Sequence, residues 1–279
     1  MTDGGLRADL HTHTVCSDGK LTPQRIVELA CGAGVRLVAV TDHDAMQACA
    51  ELGRLAKERG LLSVNGIEIS AYTQRIKFHT LGYNVNEKLF EPFQKKLFQS
   101  SYERAEEIVF KLNKLGMEIT MDDVNRHRYS LTAPVHSMYV VYAAAEKGYV
   151  ETVPKFYKKY LEYSKPAFTC IRRPSPEEAV EAIKAAGGVA VVAHPARIRM
   201  DRGQLEEKIK SLIPLGLDGI EVYYTTHTES EKAYYSKLCD GLHLLKTGGS
   251  DTHSEDGGRA IGQPPFYADL RLLEKLKIV

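Results

Sequence analysis

The sequence predicts an α/β protein, a barrel related to the (β/α)8 type that carries a helical insert. Three observations predict it. Short apolar runs alternate with helix-like stretches along most of the 279 residues, the pattern of parallel strands joined by crossover helices. Residues 86–168 break that rhythm and read as helix throughout. Side chains able to bind metal stand at the ends of six of the apolar runs, and a barrel brings such ends to one face where an open sheet spreads them along a line.

The elements follow in order. Leu6 to His13 is the first strand. LTPQRIVELACGAG is a helix, with Thr22 as N-cap, Pro23 at its first position and Gly34 as its stop. Arg36 to Val40 is a buried strand, and Ala45 to Arg59 is the helix after it. LLSVNGIEIS and IKFHTLGYNV supply strands three and four. Beyond the insert, SPEEAVEAIKAAGG repeats the helix grammar: Ser175 caps, Pro176 starts, Glu178 closes a capping box and Gly187 ends it. VAVVAH, GIEVYY and HLLKTGGSD complete seven strands, with Thr228 and Glu231 framing a capping box between the last two. The barrel is thus expected from residues 1–85 and 169–279, and a cap domain from 86–168. Within the insert, apolar residues at Leu97, Tyr102, Ala105, Ile108, Val109 and Leu112 keep roughly helical spacing. The other reading of this segment is a long decorated crossover.

Composition narrows the function. Lys plus Arg number 37 and Asp plus Glu 36, a net charge of +1, which argues against a general nucleic-acid coat and a polybasic membrane anchor. No apolar run approaches the ~18 residues of a membrane span, and the first residues offer no apolar stretch of a secretory signal. Five scattered cysteines without a CxxC pair fit reduced thiols in the cytoplasm.

The histidines carry the chemistry. His11 and His13 close the first strand two residues apart, on one face. Asp18 follows in the turn SDG, His43 ends the second strand, Glu68 the third, and His79 lies in the fourth. His194 ends the fifth, and Asp251 and His253 the seventh. Any one of these alone reads as an ordinary capping or satisfied polar residue. Six imidazoles and three carboxylates at corresponding places on six strands read as a metal centre, because without metal they would compete for few acceptors. Imidazole and carboxylate without thiolate suit manganese, zinc or iron. The ligands exceed what one ion accepts, so two or three divalent ions are expected. His127, His136, His227 and His243 fit the pattern less cleanly.

At DLHTH, SDG, TDHD, GIEIS, HTLGY, AHP and GGSDTH, in that order, the chain resembles the PHP family, named for polymerase and histidinol phosphatase domains. The resemblance implies a distorted seven-stranded (β/α)7 barrel with a trinuclear metal centre that hydrolyses phosphoesters. It implies one ion held by His11, His13, Glu68 and Asp251, a second bridged by Glu68 to His79 and His194, and a third on Asp18, His43 and His253. The insert and the EVYYTTHT segment are similar to the branch that removes phosphate from nucleoside 3',5'-bisphosphates. That branch carries Arg-Pro-His in the insert. Here Ala133-Pro134-Val135-His136 stands in its place, so either the direct basic contact is lost or Arg126 or Arg128 replaces it.

Four further roles are expected. Glu68 and Asp251 act directly in catalysis as metal-holding carboxylates. Arg197, three residues past His194, either clamps substrate phosphate or decorates the loop. His227 either gives a proton to the leaving group or serves the start of a helix. Asp42 orients a ligand imidazole. The substrate is then a small phosphorylated molecule, with a nucleotide first, and a sugar phosphate, histidinol phosphate or cyclic diester, an oligonucleotide end, or a non-catalytic module as alternatives. No stable nucleic-acid or membrane partner is expected.

Overall fold

A computed structural model describes residues 5–73, 76–170 and 172–279. Strand β1 (Leu6–Asp9) leads through a loop to helix α1 (Pro23–Gly32), where Thr22 accepts from the Arg25 amide as the N-cap. β2 (Leu37–Val40), α2 (Cys49–Glu58), β3 (Leu62–Thr73) and β4 (Ile76–Tyr83) follow. Next come the helices α3 (Glu87–Lys114), α4 (Met121–Asn125), α5 (Ser137–Glu146) and α6 (Val153–Phe156), the last continued by a π-turn over Tyr157–Leu161. The chain returns through α7 (Pro176–Ala185), β5 (Val189–Val192), α8 (Arg202–Leu212), β6 (Leu217–Tyr224), α9 (Glu229–Leu242), β7 (Leu245–Gly249), β8 (Tyr267–Ala268) and α10 (Leu270–Lys275). Both expected capping boxes form, Ser175 with Glu178 and Thr228 with Glu231.

The sheet runs β7-β6-β5-β4-β3-β2-β1-β8. It nearly closes into a barrel, because the chain past β1 meets the end of β7: Leu10 donates to Gly248 (3.1 Å), Asp251 to His11 (2.7 Å) and His13 to Thr252 (2.9 Å). Gly249 makes that seam possible, since a Cβ there would lie 2.5 Å from the His11 amide nitrogen. An eighth short strand, antiparallel to β1, was not expected.

One expectation fails. The strands are not all parallel, because β4 runs antiparallel to both β3 and β5. The reason is chain length: a parallel return needs a crossover of a dozen or more residues, and only positions 74 and 75 separate the two strands. Helix α2 also starts later than Ala45, because Asp44 takes a left-handed backbone (φ 56°) that turns the chain before a helix can begin.

Alternation on each strand divides the core. Leu37 and Ala39 face the barrel interior with Leu10, Leu81, Tyr83 and Val191, and α10 stoppers one end with Leu272 and Leu273. Val38 and Val40 face outward against Ile26, Ala30 and Leu52 of the surrounding helices. A third cluster is built from α3 to α6, with Ile108, Leu112, Val124, Val140 and Phe156 at its centre. The N-terminal turns of α3 belong instead to the barrel, through Phe90.

Candidate metal centre

Glu68 stands at the middle of the constellation, fully buried. It lies within β3, which runs on to Thr73, rather than at a strand end. Its Oε1 is 2.7 Å from His79 Nδ1 and 2.9 Å from His194 Nε2. Its Oε2 is 3.1 Å from His43 Nδ1 and 3.3 Å from both His11 Nε2 and His13 Nε2. Thus five imidazoles from four strands or strand ends face one carboxylate. Burial disfavours the Glu68 charge, yet the imidazoles of His79, His43 and His11 hold its carboxyl well below the usual range.

The backbone explains the convergence. Thr12 turns aside to bond Ala39 O (2.8 Å) and to pair with Thr252, so His11 and His13 on either side of it point the same way. Asp251 and His194 both hold left-handed backbones (φ 54° and 28°), conformations that cost energy for a residue with a Cβ and that gather at functional sites. Asp251 Oδ1 lies 3.1 Å from His13 Nε2 and 3.5 Å from His11 Nε2. Burial opposes protonation of His13, but the adjacent Asp251 and Glu68 carboxylates outweigh it and push the imidazole up to about 10. Asp18 lies 3.2 Å from His253 Nε2, with His43, His13 and His136 each at 3.9 Å.

Three sets of donor atoms lie close enough for shared ions, each set within 4.8 Å: His11, His13, Glu68 and Asp251; His13, Asp18, His43 and His253; and His43, Glu68 and His79. The first matches expectation, and the second adds His13 to the expected three. In the last set His43 takes the place expected of His194, although His194 reaches the same Glu68 oxygen as His79. Buried His11 Nε2, both ring nitrogens of His13, Glu68 Oε2, His79 Nε2 and His194 Nδ1 make no hydrogen bond. Unpaired buried groups of this kind are costly, and nitrogen and carboxylate donors so placed suit divalent metal. The residues fit.

A family-wide sequence comparison matches residues 9–253 to the PHP domain. The chain belongs to the PHP domain family. It is 31% identical, over 91% of its length and 90% of the relative's, to the 3',5'-nucleoside bisphosphate phosphatase of Chromobacterium violaceum. It is 30% identical, over 91% of its length and 93% of the relative's, to a 5'-3' exoribonuclease of Haemophilus influenzae. A solved protein of Bifidobacterium adolescentis described as a metal-dependent phosphoesterase superposes with a TM-score of 0.82 at 26% identity, covering 96% of each chain. The chain is a PHP phosphoesterase, a hydrolase.

Around this PHP centre, several side chains lie where the sequence did not place them. Asp42 accepts from the Thr14 amide (2.7 Å), the Thr14 hydroxyl (2.6 Å) and the Ser17 hydroxyl (2.6 Å). It therefore braces the loop that carries Asp18. The carboxylate that orients an imidazole is Glu221 of β6, which accepts hydrogen bonds from His11 Nδ1 and from the His194 amide, each at 2.7 Å. The sequence shows it only as an acid inside the apolar run GIEVYY, with nothing local to name its partner. Asp9 was also missed; it ties His11, Ser250 and Gly262 through their amides.

His227 is corrected too. Its Nδ1 donates to Val222 O (2.9 Å), its ring packs between Tyr224 and Tyr235, and it lines neither cavity described below. That position favours the structural role over proton donation. Arg197 does reach the site: it donates to the Tyr224 hydroxyl (2.6 Å) and to Asp251 Oδ2 (3.3 Å). Arg259, unforeseen, pairs with the same oxygen, which the Tyr224 hydroxyl also holds at 2.7 Å. Arg126 and Arg128 do not substitute for the missing insert arginine. Arg126 pairs with Asp123 (2.5 Å), and Arg128 donates to Asn125, Leu131 and Ala133 within its own loop.

The centre opens into a cavity of about 1120 Å3, bordered by Arg104, Arg197, Arg199 and Arg259 with Tyr72, Tyr163 and Phe168 among its walls. Carboxylates lie at its floor and guanidinium groups at its rim, the arrangement that draws a phosphate to bound cations.

Proposed function

We propose that the protein hydrolyses a phosphomonoester of a small nucleotide, a nucleoside 3',5'-bisphosphate, with two to three divalent ions of manganese, zinc or iron, in the cytoplasm. The carrying observation is Glu68, faced by five imidazoles at 2.7 to 3.3 Å beneath an arginine rim. One ion falls to His11, His13, Glu68 and Asp251, a second to Glu68, His79 and His194, and a third to Asp18, His43 and His253. Bound there, divalent ions would supply an activated water near neutral pH and offset phosphoryl charge.

This chain's own residues do the rest. Glu221 fixes the His11 tautomer so that Nε2 faces the centre. Tyr224 and Arg259 hold Asp251 in its strained backbone, leaving Oδ1 toward the imidazoles. Arg197, half-exposed at the rim, reaches the non-reacting oxygens of the phosphate. Residues 86–168 act as a cap that selects the substrate.

Elemental analysis after growth with ample manganese, zinc and iron tests the metals. Two to three ions per chain are expected, and one or fewer overturns the trinuclear assignment. Phosphate release from nucleoside 3',5'-bisphosphates, set beside shortening of 5'-phosphorylated oligoribonucleotides, tests the substrate. Faster turnover of the oligomer would transfer the protein to the exoribonuclease reading that its Haemophilus relative suggests.

A further inference from the structure

Tyr224, the last residue of β6, is fully buried and joins the carboxylate of Asp251 to the arginine at the rim. Its hydroxyl donates to Asp251 Oδ2 at 2.7 Å and accepts from Arg197 Nη1 at 2.6 Å. The phenol borders neither the cavity above the centre nor a smaller one, of about 550 Å3, that leads off beneath the insert past Arg104 and Arg173. It therefore touches no substrate there, and its effect on the reaction passes through its two partners.

The hydrogen-bond chain has one direction. At neutral pH a phenol keeps its proton, a guanidinium only donates and an ionised carboxylate only accepts. Protons are thus given from Arg197 to Tyr224 and from Tyr224 to Asp251. Asp251 Oδ2 also takes Arg259, which bonds the Asp251 main-chain oxygen as well (3.1 Å). With Tyr224 and Arg259 in place the lone pairs of Oδ2 are occupied, and the direct Arg197 contact is the long one, 3.3 Å. Arg197 emerges from the short turn Pro195–Arg197 and is half-exposed, so the phenol is its main anchor. Among the described residues only its Nη1 is engaged, which leaves Nε and Nη2 to meet phosphate. The tyrosine ring is itself held: its centroid lies 5.1 Å from those of His194 and His227. The hydroxyl lies on the ring axis and stays in place with it.

We infer that Tyr224 is a positioning residue that sets Arg197 in line with the ion-holding carboxylate, so that the arginine which meets phosphate is aligned with the metal centre before substrate arrives. The inference rests on the proposed phosphoesterase function. It gives the tyrosine an effect on phosphate binding that packing alone would not produce, because the freedom of a long side chain is already lost when the ligand enters.

A double-variant cycle on the metal-loaded enzyme tests it. Tyr224→Phe keeps the ring and removes the hydroxyl. In the wild-type background it should lower kcat/KM for a nucleoside 3',5'-bisphosphate about tenfold, mostly through KM. In the Arg197→Ala background the same change should alter kcat/KM by less than about twofold. Calorimetric titration with inorganic phosphate should show the same coupling. Metal content by elemental analysis should match wild type in every variant, since Arg259 still holds Asp251 Oδ2. Arg197→Lys should weaken phosphate binding nearly as much as Arg197→Ala, because one compact ammonium cannot hold the phenol and grip phosphate together. A Tyr224→Phe effect that persists without Arg197, or that comes with loss of metal, overturns the inference and assigns the tyrosine to Asp251 or to packing. Wild-type phosphate affinity in Arg197→Lys overturns it even if Tyr224→Phe fails to fold. Coupled phosphate binding without turnover of any nucleotide would overturn the proposed function and leave the positioning role standing.

Discussion

The barrel mouth and the insert present different chemistry to the same cavity. The barrel contributes imidazoles and carboxylates on strands or strand ends, buried or partly buried, together with the cations Lys77, Arg197, Arg199 and Arg259. The insert contributes the cation Arg104 and a set of tyrosine and phenylalanine rings, carried on helices that pack mainly on one another. The difference follows from what each part has to do. Ions need donors fixed within a few tenths of an ångström, which strands supply. Substrate selection needs shape and charge, which helices and loops can vary without disturbing the centre.

The largest expected effect lies at the heart of the barrel. Glu68→Gln should lower kcat by at least about a thousandfold, ~4 kcal/mol of barrier, with the far-ultraviolet circular dichroism unchanged. A variant within tenfold of wild type would remove Glu68 from the centre. Next is the insert's own core. Ile108→Ala, in a fully buried position of α3, should cost about 3 kcal/mol of stability. Metal content should stay at the wild-type level, because no proposed ligand belongs to that cluster. Parallel loss of metal would show the two regions to be one cooperative unit.

A smaller effect tests their junction. Tyr139 of α5 donates from its hydroxyl to Ser17 O at 2.6 Å, beside Asp18. Tyr139→Phe should cost about 1 kcal/mol of stability and reduce kcat/KM several-fold by loosening the Asp18 loop. Unaltered kinetics would leave the insert without a hold on the barrel ligands. The smallest effect is a pH dependence confined to the insert. Hydrogen bonding to Lys147, then to Thr120 and Arg126, holds the Asp123 carboxyl well below the usual range. A depressed folded-state value means that its stabilisation is complete above the unfolded value of ~3.9 and fades as pH falls toward the folded one. Asp123→Asn should therefore lower the melting temperature at pH 7 and make little difference in strong acid. A constant difference across that range would assign the effect to shape rather than charge.

Much of the centre was legible in the sequence because most of its donors sit just past the ends of β1, β2, β5 and β7, while Glu68 lies within β3 and His79 on the antiparallel β4. His11 and His13 share a face by the two-residue period, and the barrel closure does the rest. The capping boxes at Ser175 and Thr228 were equally legible, since a helix start is a matter of four neighbouring residues. The antiparallel β4 was readable in principle. The interval between GIEIS and IKFHT is too short for a crossover, and chain length alone forbids a parallel return.

Other assignments had no local signature. Glu221 orients His11 from 210 positions away, and Arg259 reaches Asp251 only because a loop folds back over the barrel mouth. His227, in a segment whose motif looked functional, was turned into the space between two tyrosine rings by the packing of α9 on β6. Arg126 and Arg128, nearest in sequence to the missing arginine, were taken up by neighbours three to five residues away, while Arg104 and Arg173 arrived at the cavity from different elements. The sequence by itself determined which atoms can bind metal and on which strands they ride, because donor type and strand period are local properties. Only the tertiary structure decided which charges meet, because a side chain's partner depends on how distant segments pack.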